Sequence, residues 1–555
     1  MNKAYFGYTI GPIHGTLMEA NSPAEIWMAS YFFSRLMQEV TRLLLSNQEL
    51  RDADLDLVSP CLTDFDYKEL TGLGAGVFSD RLYYAVNEGK EDRAKMAFAS
   101  VWADALASVA PTLVTTINAD GPKPGVTDQG CIQFLQEKLY YRETCVIAET
   151  IPLKEINDQL DELEAGVPFP RCETVAGQDY FYWFLRREVL RAGRCPWIKE
   201  QQVVPLDMFQ LADEQEPQQP SDAGEPFSRR YVALVYADGD LLGTVLSQAA
   251  SSGAEQTVRD ISKKLLTFSK NSVRTVKEYG GYPLFFGGDD LFFFAPLYSA
   301  DKERNLFSLL SELHDQFGEM FKDHRVKVEN EMRPVSLSFY SADKKQKLFS
   351  QPNKLHSQFK NHHMKYKKKS QPVSLSFGVT IHHCKYPLQR MRSDTEEGLY
   401  VHAKGARWRG KNKKNALYVM LRKGSGQRSK CLLPFISVDE QQKTLVELAQ
   451  ELIFSPGDEQ TVRSLHWKLV SRFDLLCWIL EQPDAGGRLT TWLKNISNQD
   501  SQRGSALTKV YCDRLVAFML ALWRVQPDAA AYKETLDGVL RISEFIARSA
   551  REEKV

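Results

Sequence analysis

Leu284-Phe285-Phe286-Gly287-Gly288-Asp289-Asp290-Leu291-Phe292-Phe293-Phe294 places two glycines and two adjacent aspartates between strand-like apolar runs. The pattern predicts a tight hairpin whose tip carries acid groups where a backbone can approach a phosphate. Neighbouring carboxylates repel each other unless a cation shares them, and hard divalent ions prefer oxygen ligands. Upstream, Tyr231-Val232-Ala233-Leu234-Val235-Tyr236-Ala237-Asp238-Gly239-Asp240-Leu241-Leu242-Gly243 reads as a buried strand with Asp238 at its exit. Pairing of the two segments would bring Asp238 to Asp289 and Asp290. Three carboxylates at one sheet end can hold two Mg²⁺ or Mn²⁺ ions, which serve phosphoryl or nucleotidyl transfer. Either segment alone also fits an ordinary hairpin turn. Both together, in this order and each beside an apolar strand, favour the metal site. Asp240 is either a fourth ligand or a turn residue. Gly239, Gly287 and Gly288 are candidates to let the backbone lie close to a nucleotide.

The elements that must position these groups form an α/β (α+β) chain. Residues 1–211 read as a mixed unit with strands at 5–12, 55–60 and 77–85. Its helices are expected at 23–45, 90–110, 128–148 and 178–192. Residues 212–228, rich in Pro and Gln, read as a linker or a mobile loop. Residues 229–428 give strand, helix 254–279, the acidic hairpin and helix 301–321. Strand 372–383, helix 388–404 and a last strand at 416–421 follow. This β-α-β-β-α-β order is ferredoxin-like, the palm of many polymerases and nucleotide cyclases, although fold alone fixes no chemistry. Pro-Val-Ser-Leu-Ser-Phe occurs twice, at 334–339 and 372–377, and the core strand is placed at the second copy. The insertion between them, 341–370, has nine lysines and three histidines against one acid, Asp343. It reads as a solvated insertion or as a contact to a phosphate backbone. Residues 430–555 read as a helical bundle, with helices at 438–454, 459–482, 506–525 and 528–550.

A length of 555 residues suggests three or four domains. Charge is nearly balanced, 70 Lys+Arg against 71 Asp+Glu, so global electrostatics say little about a nucleic-acid partner. The lack of a long unbroken apolar run predicts a soluble, cytoplasmic chain without a membrane partner. The nine cysteines include no C-x-x-C pair, which argues against a zinc ribbon and for plain thiols.

With these pieces in place, the chain resembles the large subunit of type III CRISPR effector complexes, in its Cmr-type branch. Ile10-Gly11-Pro12 and Glu25-Ile26-Trp27-Met28-Ala29-Ser30-Tyr31-Phe32-Phe33-Ser34 look like that family's first, degenerate palm. Phe78-Ser79-Asp80-Arg81-Leu82 looks like its phenylalanine-proline-asparagine-arginine strand, altered at two places. The Asp238 strand, the Gly287–Asp290 turn and His383-Cys384-Lys385-Tyr386-Pro387-Leu388 follow in family order. So do Ala403-Lys404, Gly410-Lys411-Asn412 and a helical C-terminal domain. The resemblance implies two palms, with the Gly-Gly-Asp-Asp site in the second. It implies assembly with other subunits, CRISPR RNA and target RNA, and packing of the helical domain on a small helical subunit.

The implied activity is conversion of ATP into a second messenger: cyclic oligoadenylate, or an ATP–S-adenosylmethionine conjugate. In the first case a 3′-oxygen of one ATP attacks the α-phosphate of another and pyrophosphate leaves. Lys404 and Lys411 are candidates to neutralise the triphosphate, with Asn412 orienting those lysines or the ribose; a solvated basic face is the bland reading. His382 and His383 are read as lying next to the site, either near the nucleotide or in strand-end packing. Many relatives also carry an HD nuclease domain. Here the only His-Asp dipeptide is His314-Asp315, in a predicted palm helix, and residues 1–200 contain only His14, so no such nuclease activity is expected. The alternatives are a stand-alone GGDEF-like nucleotide cyclase and a non-catalytic nucleotide-binding scaffold.

Overall fold

The computed structural model describes the chain apart from residues 1, 21, 63–69, 71–72, 119–120, 166–230, 328–369, 409–411, 439–442, 455–458, 499–505, 527 and 552–555. The expected helix 178–192, the linker 212–228, the first Pro-Val-Ser-Leu-Ser-Phe copy, nearly all of the basic insertion and Lys411 lie outside the described residues.

Strand β1 (Lys3–Gly11) is the centre of the first sheet, and all but its first residue is buried. With β2 (Asp56–Ser59), β3 (Arg81–Asn87) and β4 (Tyr140–Ala148) it forms an antiparallel sheet in the order β2-β3-β1-β4. Helix α1 (Pro23–Ser46) joins β1 to β2. Its start is set by Ser22, which accepts from Glu25 N at 3.2 Å, and by Pro23 in the first turn. Helices α2 (Glu91–Ile117) and α3 (Asp128–Lys138) join β3 to β4. The expected helix 128–148 therefore breaks in two. Tyr140-Tyr141-Arg142-Glu143-Thr144-Cys145-Val146-Ile147 is aromatic and β-branched, and it pairs along the whole of β1. Among the described helices α2 alone is long and apolar enough to cross a membrane; its Phe98, Val101, Ala105 and Leu113 are buried in the N-terminal core.

The second sheet contains β5 (Tyr231–Asp240), β6 (Tyr282–Gly287), β7 (Asp290–Ala295), β8 (Ser374–His383), β9 (Ala416–Arg422) and β10 (Arg428–Pro434). Its order is β10-β9-β8-β5-β7-β6. The four strands β8-β5-β7-β6 have the ferredoxin-like arrangement, repeating the first sheet. Helix α4 (Leu153–Ala165) packs on the first sheet, and α5 (Leu242–Ser251) follows β5 directly. Helices α6 (Glu255–Tyr279) and α7 (Leu306–Met320) are the palm helices.

The crossover from β8 to the parallel β9 is α8 (Leu388–Glu397), which continues as a π-helical turn, Gly398–Ala403, rather than as one regular helix to 404. Strand β10 was not expected. Its seven residues alternate too briefly to separate strand from helix in a sequence, and they extend the palm sheet past residue 430.

The C-terminal bundle comprises α9 (Leu445–Phe454), α10 (Glu459–Ser471), α11 (Phe473–Leu480), α12 (Ala485–Asn498), α13 (Ala506–Val525) and α14 (Ala529–Arg551). The expected helix 459–482 is split at Arg472. Helix α12 was not expected; Gly486 and Gly487 lie in its first turn, and the Asp484 side chain accepts from Gly487 N at 3.2 Å and starts it.

The residues quoted for the first palm fasten the two sheets together. Trp27 Nε1 donates to Gly74 O at 2.9 Å, and Ser34 Oγ accepts from Val77 N and Phe78 N, each at 3.0 Å. The segment so held lies along the outer edge of β6: Phe286 N donates to Gly76 O at 2.6 Å, and Gly76 bridges Phe285. Ser30 Oγ donates to Leu284 O at 3.1 Å. The largest apolar core runs through both sheets, with two smaller clusters beside it.

Candidate active site

β5 and β7 are in register through Ala237 and Leu291, so Asp238 and Asp290 are the next residues along the two strands. Gly287 pairs with Asp290, leaving Gly288 and Asp289 as a two-residue turn. Gly288 has φ +70°, where glycine is unstrained, and a Cβ there would meet nothing. Ser269 of α6 donates to the Gly288 carbonyl at 3.2 Å and supports the turn from below.

Gly239 and Gly287 are glycine for reasons the sequence did not reveal. A Cβ on Gly239 would strike the Asp289 carboxylate, so Asp289 lies against the α-carbon beside Asp238. A Cβ on Gly287 would strike the Phe285 ring. These two glycines therefore make room for neighbouring side chains, and Gly288 is the one with open space.

The charges here are not independent. Burial first, then the Asp238 charge, pushes Asp289 up to about 6, with Lys404 acting against the shift. Burial, Asp238 and Asp289 together hold Asp290 well above the usual carboxylate range. Lys404 ion-pairs with Asp238 Oδ2, and its ammonium also donates to Gly239 O at 3.3 Å. Burial works against its charge, but Asp238 and Asp240 outweigh that and hold Lys404 above its ordinary value. Lys414 is shifted down by burial and by Lys404.

Asp240 is almost fully buried. Its Oδ2 accepts from Ser374 Oγ at 2.9 Å, Ser376 Oγ at 2.6 Å and Asn415 N at 2.9 Å. Those bonds tie the end of β5 to β8 and to the loop before β9, which gives Asp240 a structural role. Asn415 was not singled out in the sequence; an asparagine in a left-handed conformation, φ +53°, gives no periodic signal.

Of the other expected residues, Asn412 forms a short ladder with Trp408, and Lys411 is outside the described residues. His382 and His383 do not belong to the site. In the β8–β5 register they pair with Val232 and Tyr231, while the acidic end pairs at Ser374. His382 lies eight residue steps along the strand from Ser374, roughly 26 Å. His382 is instead fully buried, stacked on Tyr386 at 4.2 Å and pushed down to about 3 by burial and then by Arg422.

The donors fit a hard divalent cation shared with a polyphosphate better than a cage made by protein alone. The carboxylates are oxygen donors from adjacent strands, and two of them are disfavoured as anions by burial and by their neighbours. Among the described residues no group of three or more His, Cys, Asp or Glu is arranged to hold a metal ion by itself, so the three carboxylates do not stand as a ready-made ligand set. Mg²⁺ commonly takes one or two carboxylates and completes its shell with water and substrate phosphates.

The sheet order and the acidic turn define a palm domain. Residues 231–351 match the family described as Cas10/Cmr2, second palm domain. The fold is similar to that of a type III-B Cmr-beta structure in its apo state, with 9% identity and a TM-score of 0.52 over 92% of this chain and 79% of that one. Cmr-beta bound to cognate target RNA gives 11% identity and a TM-score of 0.52 over 92% and 80%. A crystal structure of an apo Csm1-Csm4 cassette gives 12% identity and a TM-score of 0.45 over 98% and 70%. No curated protein matches the chain. The family match is confined to the second palm, and the Cmr-beta likeness shows a shared fold over 92% of the chain.

Proposed function

We propose that this chain, as the large subunit of an RNA-guided type III complex, makes a nucleotide second messenger from ATP when target RNA is bound. The observation that carries this reading is the placement of Asp289 against Gly239, beside Asp238, with Asp290 next in register. Carboxylates from two adjacent strands thus meet at the open end of a palm sheet. Asp238, Asp289 and Asp290 would hold Mg²⁺ or Mn²⁺, which when bound supplies activation of the attacking oxygen and stabilisation of the leaving one. Gly288 leaves space for phosphate at the turn. Lys404 and Lys414 supply positive charge beside the acids, for the triphosphate and the departing pyrophosphate. The Tyr236 and Tyr400 hydroxyls stay protonated, Tyr236 through burial and Asp290 and Tyr400 through burial and Tyr236, so neither is an anionic base.

The product is cyclic oligoadenylate or, with S-adenosylmethionine as co-substrate, a conjugate. The partners are the other subunits, CRISPR RNA and target RNA. Trp467 and Trp478, 71% and 51% exposed on α10 and α11, support packing of the bundle on a small helical subunit.

The test is mass spectrometry of products from the assembled complex given ATP and Mg²⁺, with and without target RNA and S-adenosylmethionine. A new adenylate product dependent on target RNA is expected. It should vanish in the Asp289→Ala, Asp290→Ala double variant while assembly persists. Unchanged ATP under every condition would sink the proposal. DNase activity is expected to be absent, and metal-dependent DNA cleavage by the purified chain would contradict that.

A further inference from the structure

Lys404 reaches the acid cluster from the end of the π-helical turn. Its backbone N–H donates to Leu399 O at 2.8 Å, and its ammonium lies 5.7 Å from the centre of the Tyr400 ring. The turn itself is pressed onto β8: a Cβ on Gly378 would strike Leu399 N and Thr395 O. The ammonium pairs with Asp238 Oδ2 and contacts Gly239 O at 3.3 Å. Only 14% of the Lys404 side chain and 18% of the Asp238 side chain are exposed. A carboxylate oxygen and an adjacent backbone carbonyl are the hard donors that a divalent cation takes. The lysine therefore stands on the oxygens that a bare cation would need.

We propose that Lys404 is an internal counter-ion that keeps free divalent cations off Asp238 and releases it only to a cation that arrives with a polyphosphate. This rests on the nucleotide-transfer reading above and deepens it, by fixing the form of substrate that enters: the metal–nucleoside triphosphate complex rather than metal first. A bare dication at Asp238 would leave the ammonium buried, without its carboxylate and beside two positive charges. Breaking a buried pair from one side is strongly unfavourable. A metal-bound triphosphate brings its own anionic oxygens, which form strong charge-assisted hydrogen bonds with an ammonium. The exchange then replaces one compensated pair by another. Asp240 adds its charge to the lysine but makes no ion pair with it; its Oδ2 is held by Ser374, Ser376 and Asn415.

The test uses Mn²⁺ as the probe, followed by electron paramagnetic resonance of the free ion, on the full chain without turnover. Wild type should bind Mn²⁺ at least about tenfold more tightly with α,β-methylene ATP present than without it. Lys404→Met, which keeps the stem and loses the charge, should bind Mn²⁺ without nucleotide at least about tenfold more tightly than wild type. Lys404→Arg should exclude Mn²⁺ as wild type does, and thermal melting of both variants reports folding. The wild-type comparison is made after subtracting the Mn²⁺ that the analogue binds without protein, and it stands even if Lys404→Met fails to fold. Equal Mn²⁺ affinity of wild type with and without the analogue, or of wild type and a folded Lys404→Met without it, overturns the inference while leaving the nucleotide-transfer reading standing. No Mn²⁺ uptake by any form, even with the analogue, overturns both.

Discussion

Asn415 donates its backbone N–H to Asp240 Oδ2 at 2.9 Å while its own side chain is tied on both sides. The side chain accepts from His314 Nε2 at 2.8 Å and donates to Phe435 O at 3.0 Å. One residue thus links the end of β5, helix α7 and the chain leaving β10. Asn415→Gly should lose the side-chain ties but keep the left-handed backbone. Asn415→Ala should lose the ties and add strain of roughly 1 kcal/mol. Urea unfolding should therefore rank wild type above Asn415→Gly, and Asn415→Gly above Asn415→Ala. An alanine variant as stable as the glycine variant would contradict the geometry.

Asp289 gives a pH signature. Its folded value, about 6, lies above the ordinary 3.8. A carboxyl raised in this way contributes stability that is fully present below the unfolded value and is lost as pH rises through the folded one. Asp289→Asn should therefore stabilise the protein at pH 7.5 by about 1–2 kcal/mol after allowance for solvent screening, and make little difference at pH 3.5. Thermal melts of both proteins across this range measure it. A wild type and variant separated by the same amount at both ends would rule the effect out.

Ser34 is a hinge pin for the seam between the two sheets, because its hydroxyl oxygen satisfies the N–H groups of both Val77 and Phe78. Ser34→Ala removes the shared acceptor of the Val77 and Phe78 amides and should cost about 1–3 kcal/mol. Hydrogen exchange should rise at Phe286, whose amide is held by Gly76 O, before it rises in the centre of β5. Unaltered exchange at Phe286 in a destabilised variant would separate the seam from the hairpin.

Gly378→Ala should damage the site without touching an acid. The new methyl group would press on the backbone of Thr395 and Leu399, and the π-helical turn carrying Lys404 must shift. Overpacking of this kind costs roughly 1–3 kcal/mol. With Asp238 no longer held by the lysine, Mn²⁺ uptake without nucleotide should increase in this variant as well. Uptake at the wild-type level would show that the turn had absorbed the strain.

The acid pair was legible because its chemistry is local. A Gly-Gly-Asp-Asp turn between apolar runs announces both the hairpin and its charge, and Asp238 follows an unambiguous apolar run, although the strand itself continues to Asp240. Helices α1 and α6 were legible for the same reason, each having a long periodic face. What the sequence hid is what depends on contacts between distant residues. The glycine at 239 is required by Asp289, which stands 50 residues later in the chain. His382 reads like a site residue because it lies on the same strand as Ser374 and Ser376, yet only the register shows it to be at the far end. Strand β4 was read as the continuation of helix 128–148, its partly buried residues giving no clean alternation, and β10 was missed because its run is short.

The bridge between Gly76 and Phe285 has a mechanical meaning. Phe286, whose amide it holds, immediately precedes Gly287, at the mouth of the acidic turn. Through α1 the same segment is bolted to the first sheet by Trp27 and Ser34. The N-terminal unit grips the palm at a second place too, where Arg259 and Lys277 of α6 donate to Asp56 Oδ2 at 2.6 Å and to Leu73 O at 2.6 Å. The outer strand of the hairpin and the helix beneath its turn are thus both braced by the same N-terminal unit.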